Sequence, residues 1–336
     1  MGVAPRHDRG GEEGTNVKKK AVAWSVMLCL NLIILLAVAP RVAGQSSPDD
    51  WRAFPSGFVV RGEFLRFFDG HGEVETFGYP LTVEFEEEGR PVQYFTRGRM
   101  ELLYPENPPG QRAALGPLGE LLIAPEPPIA APEPGPDRRF FPETGHTVTA
   151  AFLSYFEARG GVDFFGYPIT EMLVEGEQVV QYFQRARLEW HPDQPSGLRV
   201  RLGRLGEIYL DQFPPPSWVR DPASDENYDL EPPKVTALDL VASVEYPFVG
   251  QNEPQTLYVF VYDQDGTPLE GADIWAVIHF PDGDLTIALP KADELGLSWQ
   301  SFDVGQVPVG ETVAIEVWAR YGGVEGTTQT SFVVWL

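Results

Sequence analysis

The chain of 336 residues carries 49 acids against 25 bases, a formal net charge of −24. That balance excludes nucleic acid as a partner, because a phosphate backbone needs a basic face. A hydrophobic content of 43% excludes wholesale disorder, while 34 glycines and 32 prolines predict many turns and several linkers in a mostly β chain of two or three domains.

The first predicted element is the apolar run Ala21 to Ala39, preceded by Lys18, Lys19 and Lys20. As a helix rising about 1.5 Å per residue it nearly covers the ~30 Å hydrocarbon core of a bilayer. The lysines are expected on the cytoplasmic side and everything beyond the run outside it. Val42, Ala43 and Gly44 ahead of Gln45 read as a small-residue cleavage site, so residues 1–44 are either a retained anchor or a signal peptide removed near Gly44. Membrane contact is expected through residues 21–39 alone. The single cysteine, Cys29, falls inside this run, which leaves no disulfide and no cysteine-ligated metal site for the rest of the chain.

Next comes a duplication. Ser56 to Glu101 aligned on Thr144 to Glu189 shows about twenty identities in forty-six positions, including Phe-Gly-Tyr-Pro and Gln-Tyr-Phe. The match resumes at Leu115 to Glu120 and Leu202 to Glu207 as Leu-Gly-x-Leu-Gly-Glu. The boundaries are read as repeat 1 at 51–123 and repeat 2 at 138–212. Each copy predicts a short helix, a turn and a strand pair. In the second copy Phe152, Leu153 and Phe156 share a helix face, Thr147 or Thr149 is placed to cap its start, and Gly160-Gly161 supplies a left-handed stop. Gly166 and Pro168 then bracket Tyr167 in a tight turn. Through Gln178 to Trp190 the alternation sends Val180, Tyr182, Ala186, Leu188 and Trp190 inward, and Gln181, Phe183, Arg185, Arg187 and Glu189 outward.

Two proline-rich linkers follow the copies, at 124–137 and 213–233. The first has six prolines in fourteen residues and is expected to be a stiff spacer reaching roughly 40 Å, with proteolysis releasing folded fragments on either side. From residue 234 to 336 seven β-rich runs, 235–246, 255–263, 272–280, 285–289, 296–303, 312–321 and 327–335, predict a β-sandwich with turns at Asp265-Gly266 and Asp282-Gly283. The expected fold class is therefore mainly β with short helices: two small α+β repeats plus a C-terminal Ig-like β-sandwich.

The duplicated unit resembles the LGFP-type repeats of secreted and cell-wall-associated bacterial proteins. The residues that carry the resemblance are Gly166, Tyr167, Pro168 and Glu171, then Gln181, Tyr182 and Phe183, then Leu202 and Gly203. This chain has Phe-Gly-Tyr-Pro where that family has Leu-Gly-Phe-Pro, and longer spacing. Leu257 to Gly283 is similar to bacterial Ig-like domains of the invasin or macroglobulin kind, through its strand, Asp-x-x-Gly, Pro-Leu, Gly-Ala, strand order. The first resemblance implies a cell-wall role by analogy, and the second implies a stalk, spacer or adhesive role without catalysis.

Motifs for hydrolysis, nucleotide binding and metalloprotease chemistry are missing, and the histidines His71, His146, His191 and His279 do not recur between copies. No catalytic residue, metal site or cofactor is expected. Asp263 to Gly266 could start a calcium loop, but an Asp-Gly hairpin turn accounts for it. What recurs is Arg97, Arg99 and Glu101 with Arg185, Arg187 and Glu189. With Phe183, Tyr167 and Tyr182 these form the candidate binding set: two guanidinium groups and aromatic rings suited to a carboxylate or sugar. The plainer use of the same residues is a surface ion-pair series that keeps the strand soluble. The expected function is that of an exported, non-catalytic cell-envelope protein that binds or displays at the cell surface, with envelope polysaccharide or another surface protein as partner. Two weak copies held apart would gain avidity on a repetitive polymer. The alternative is a secreted glycan or peptide hydrolase, or an accessory subunit of an enzyme.

Overall fold

A computed structural model of the protein describes residues 51–103, 107–108, 111–225 and 233–335. The apolar run 21–39 and the cleavage site expected near Gly44 lie outside the described residues. Among the described residues no helix is long and apolar enough to cross a membrane.

Copy 1 opens with a hairpin of β1 (Trp51–Ala53) and β2 (Val59–Arg61), then two helices, α1 (Gly62–Gly70) and α2 (Glu73–Phe77). An antiparallel sheet of β3 (Phe85–Glu87), β4 (Arg90–Phe95), β5 (Gly98–Leu102) and β6 (Ala113–Leu115) follows, and α3 (Leu118–Leu122) ends the unit. Copy 2 repeats every element: β7 (Arg138–Phe141), β8 (His146–Thr149), α4 (Ala150–Ala158), α5 (Gly161–Phe165), β9 (Leu173–Glu175), β10 (Gln178–Tyr182), β11 (Arg187–Trp190), β12 (Val200–Leu202) and α6 (Leu205–Gln212). The expected helix face is buried, with Phe152, Leu153 and Phe156 inside. Thr149 stands at the N-cap without a capping bond, and Gly160 and Gly161 take φ of 100° and 55° beyond the helix end.

The alternation read through Gln178 to Trp190 is corrected by a turn. Phe183 N donates to Ala186 O at 2.8 Å, and Tyr182 pairs with Arg187, so the chain reverses over Gln184-Arg185. Crossing a two-residue turn changes the parity. Val180, Tyr182, Arg187 and Glu189 lie on one face of the sheet, and Gln181 and Leu188 on the other. Phe183, expected outside, is fully buried. Gln181 is buried too: its amide nitrogen donates to Thr147 O and Thr170 O, both at 2.8 Å, as Gln93 does to Val59 O and Thr82 O in copy 1.

The two copies are not separate beads. One hydrophobic cluster takes Phe54, Phe64, Phe68, Phe77 and Phe95 from copy 1 with Phe141, Phe156, Phe165 and Phe183 from copy 2. Phe67 and Phe164 stack across the join with centroids 6.0 Å apart. A second cluster joins Val92, Tyr94 and Leu118 to Val180, Tyr182, Leu205 and Leu210. The bonds across the join are reciprocal. Glu120 N in copy 1 donates to Gln184 O at 3.1 Å, and Glu207 N in copy 2 to Thr96 O at 3.2 Å. Each end helix thus sits on the other copy's hairpin turn, which makes a pseudo-two-fold pair in one chain.

The linkers are straps rather than spacers. Residues after α3 run over copy 2, with Glu126 N bonded to Ile169 O and Ile129 N to Gly145 O, both at 2.9 Å. Residues after α6 run over copy 1 through Ser217–Arg220 and Pro222–Ser224, where Val83 N meets Val219 O at 2.9 Å. Pro128 covers Gly145, and Pro222 covers the matching Gly57. The 40 Å separation and the avidity built on it are therefore overturned, because a shared core needs the copies in contact. A protease site inserted at Ala130-Ala131 and cut should leave the two halves eluting as one particle and melting in one transition. Separation of the halves on a sizing column would refute the shared core.

The last region is a sandwich of two sheets. Strands β13 (Leu238–Val244), β15 (Pro254–Asp263) and β18 (Leu297–Asp303) form one, in the order β13-β15-β18. The other has the order β14-β20-β19-β16-β17, from β14 (Phe248–Gly250), β16 (Asp273–Phe280), β17 (Gly283–Ala288), β19 (Thr312–Tyr321) and β20 (Val324–Trp335). All seven expected runs are strands, and the short β14, paired parallel to β20, is the addition. The core, including Leu257, Val261, Ile274, Ile278, Ile315 and Phe332, is drawn from the sandwich's own strands. Asp263 is used by its turn: Oδ1 accepts from Asp265 N and Thr267 N, both at 2.8 Å.

Candidate functional site

The recurring charges form two copies of one network on the sheet face beside the end helices. Arg99 Nη1 meets Glu87 at 2.7 Å and the Tyr94 hydroxyl at 3.3 Å, Nη2 meets Glu101, and the guanidinium lies 5.7 Å from the Tyr94 ring. In copy 2 Arg187 meets Glu175 at 3.2 Å, the Tyr182 hydroxyl at 3.0 Å and Glu189, with its guanidinium 5.5 Å from the Tyr182 ring. Burial raises the Tyr94 and Tyr182 hydroxyls above their ordinary pKa. Burial opposes charge on Arg99, yet Tyr94 and Glu101 outweigh it and hold the guanidinium charged. Burial also works to raise Glu189, but His191 and Arg187 outweigh it and hold the carboxyl below the usual range.

The expected outward ladder is thus corrected. The side chains of Arg99 and Arg187 are 9% and 14% exposed, and those of Glu101 and Glu189 are 8% and 12% exposed. Their Nη donors are met by partners within the copy, while the buried Nε of each arginine has no hydrogen-bond partner among the described residues, so the pair contributes rigidity to the sheet rather than an outward grip. Gly116 and Gly203 lie against this network: a Cβ on either would stand 2.4 Å from the Glu101 or Glu189 carboxylate.

Arg97 and Arg185 belong elsewhere, at the hairpin tips. Arg97 Nη1 donates to Val74 O at 3.1 Å and Glu75 O at 3.3 Å, closing the end of α2, and Arg185 Nη1 donates to Asp163 O of α5 at 2.7 Å. Tyr167 packs edge-on against Phe141 at 6.1 Å, and its backbone N donates to Gln184 Oε1 at 2.9 Å. Of the nine candidate residues, the structure brings Arg99 to Glu101 and Arg187 to Glu189 and Tyr182. Tyr167 and Arg185 share a different corner of copy 2, Arg97 the matching corner of copy 1, and Phe183 is core.

Sequence reasoning missed a groove on copy 1. It is lined by Arg61, Glu84, Phe85, Glu86, Pro91 and Asp225 and has a volume of about 370 Å³. Arg61 pairs with Asp225, and Trp218, 51% exposed, stands edge-on to Phe85 at 6.3 Å. Burial raises the Glu84 carboxyl above its ordinary pKa, Arg61 lowers it in part, and Asp225 adds to the rise. The signal that could have found it is divergence between the copies: Arg61, Glu84 and Glu86 stand where copy 2 has Thr149, Met172 and Val174. Among the described residues no cluster of histidine, cysteine and acids is arranged to hold a metal ion.

No family model and no curated protein matches the chain. Partly similar solved structures include a DUF4785 family protein from Legionella pneumophila, at 16% identity and TM-score 0.25, covering 31% of this chain and 30% of that one. The Lin-41 filamin domain is 17% identical at TM-score 0.22, covering 30% of this chain and 95% of the domain. The CARDB domain of a Pyrococcus furiosus protein is 16% identical at TM-score 0.20, covering 33% of this chain and 97% of the domain. The chain thus spans under a third of the Legionella protein, and likenesses at these scores carry no argument about function.

Proposed function

We propose that the chain is an exported, non-catalytic cell-envelope protein that binds at the cell surface, with envelope polysaccharide as ligand and the groove of copy 1 as the contact. The carrying observation is that the groove's polar set occurs once. Copy 2 folds through the same elements with Thr149, Met172 and Val174 in place of Arg61, Glu84 and Glu86, so the shared fold does not need those side chains. They gather at an opening of about 370 Å³, where Arg61 is paired with Asp225. Phe85 supplies ring surface with Trp218 edge-on beside it, Glu84 holds a proton more tightly than an ordinary carboxyl, and the Arg61–Asp225 pair offers donors and acceptors side by side. That mixture suits a hydroxyl-rich, uncharged chain. A net charge of −24 also disfavours a polyanion. Export rests on Lys18 to Ala39 and on the resemblance to LGFP-type repeats.

Trp218→Ala should weaken retention of the full chain on polysaccharide purified from the native envelope about tenfold, the equivalent of ~1.4 kcal/mol, with the fold retained because the residue is half-exposed and outside the core clusters. Equal retention would sink the groove as the contact. One observation favours a hydrolase as the second reading: two carboxyls, Glu84 and Asp225, line one groove, and burial raises Glu84. Release of reducing ends from the same polysaccharide, lost in Glu84→Gln, would replace the binding reading with that one.

A further inference from the structure

Copy 1 holds the sandwich at one corner. The Tyr79 hydroxyl donates to the Pro268 carbonyl and Arg97 Nη2 meets the Glu294 carboxylate. The corner is built by backbone bonds, Thr96 N to Tyr79 O and Arg97 N to Phe77 O, both at 2.9 Å. Copy 2 builds the same corner. Gln184 N donates to Tyr167 O and Arg185 N to Phe165 O, both at 3.0 Å. Tyr167 meets Phe141 edge-on as Tyr79 meets Phe54, at 6.1 and 6.4 Å. In each corner the arginine is pinned by one nitrogen to carbonyls of the short helix.

The surroundings differ. Arg97 is 1% exposed under the sandwich, whereas Arg185 is partly exposed and, among the described residues, has no carboxylate partner. In a chain of net charge −24 such a guanidinium is complementary to a carboxylate brought from outside.

We propose that the Tyr167–Arg185 corner is a second docking site, which takes the acidic loop end of a β-sandwich domain on a partner protein, seated as the loops of Pro268 and Glu294 are seated on copy 1. The occupant is indicated by the equivalent corner, where the matching tyrosine and arginine hold two β-sandwich loops, Tyr79 the β15–β16 loop at Pro268 and Arg97 the β17–β18 loop at Glu294. Only part of the grip is repeated. Arg201 and Arg204 add ion pairs to Asp293 at 3.2 Å and Glu294 at 2.8 Å, and their counterparts in copy 1 are Ala114 and Pro117. Docking on copy 2 is accordingly the weaker and the reversible one. This site lies on the other copy from the groove, and it stands whether or not the groove takes polysaccharide.

The probe is the sandwich itself, residues 233–336, whose core comes from its own strands. Added to the full chain, it finds the copy 1 corner filled by the tethered sandwich, which acts at an effective concentration near millimolar. Calorimetric titration should show one further site. Arg185→Ala in the full chain, or Glu294→Gln in the probe, should weaken it at least tenfold, and Tyr167→Phe should weaken it less. Circular dichroism of the probe and an unchanged melting temperature of Arg185→Ala confirm that both partners are folded. No binding at 1 mM probe, or equal affinity in Arg185→Ala, overturns the proposal.

Discussion

Alanine at Gly206 or Gly119 is expected to unfold the fused repeats. A Cβ on Gly206 would stand 1.9 Å from Phe95 O and 2.9 Å from Gly98 O, and one on Gly119 would stand 1.8 Å from Phe183 O. These are backbone atoms at the turns of β4–β5 and β10–β11, so no side-chain rotation relieves the clash. The end helix must move off the opposite copy, breaking the Glu207 N–Thr96 O or Glu120 N–Gln184 O bond and opening the cluster around Leu118, Leu205 and Leu210. The loss should exceed about 4 kcal/mol, the range reached only when a core is forced apart. For a body of this size that is about 10 °C or more in melting temperature. Gly70→Ala is the control: its Cβ meets nothing within 4 Å. A Gly206→Ala protein that melts within 1 °C of the parent would show that the end helices do not depend on that contact.

The second large effect separates two arginines at matching positions. Arg97→Ala removes a side chain that is fully buried against Glu294, itself 14% exposed, and leaves that carboxylate under the sandwich with Arg204 alone. Deleting one member of a buried pair costs about 3–5 kcal/mol, and the remaining Arg204 places Arg97→Ala near the lower end. Arg185→Ala removes a partly exposed group with one bond to Asp163 O and should change stability by about 0.5 kcal/mol or less. Thermal unfolding of the two variants tests the contrast. Scattering should also show an expanded particle for Arg97→Ala, as the sandwich loses its main polar tie to copy 1. Equal melting temperatures would mean that the Arg97–Glu294 contact does not hold the sandwich in place.

The duplication was legible because identical residues recur at a constant offset, and the helix of Phe152, Leu153 and Phe156 because its burial follows a side-chain period. The seven sandwich runs were legible as β-rich segments between turns, and in β16 and β19 burial alternates as one inward face requires. The arginine series was misplaced because alternation gives no signal when a chain reverses over two residues. Gln184-Arg185 carries neither glycine nor proline, so the turn looks like strand, and every residue beyond it changes face. The proline tracts were read as extended, which they are. Whether an extended segment reaches out or lies across a neighbour depends on bonds such as Ile129 N to Gly145 O, whose partners are distant in sequence.

By itself the amino-acid sequence determined the repeated unit, its element types, the β character of the last hundred residues and an acidic surface that disfavours nucleic acid. Those properties follow from local periodicity, turn chemistry and summed charge. Only the tertiary structure decided that the copies complete one another, that Gly119 and Gly206 stand where two backbones touch, and that Arg97 is sealed while Arg185 is open. The copies carry nearly the same residues at these corners, and what differs is what covers them. The sandwich rests on copy 1 because Arg201 and Arg204 add their charge beside Arg97, and Ala114 and Pro117 supply none beside Arg185.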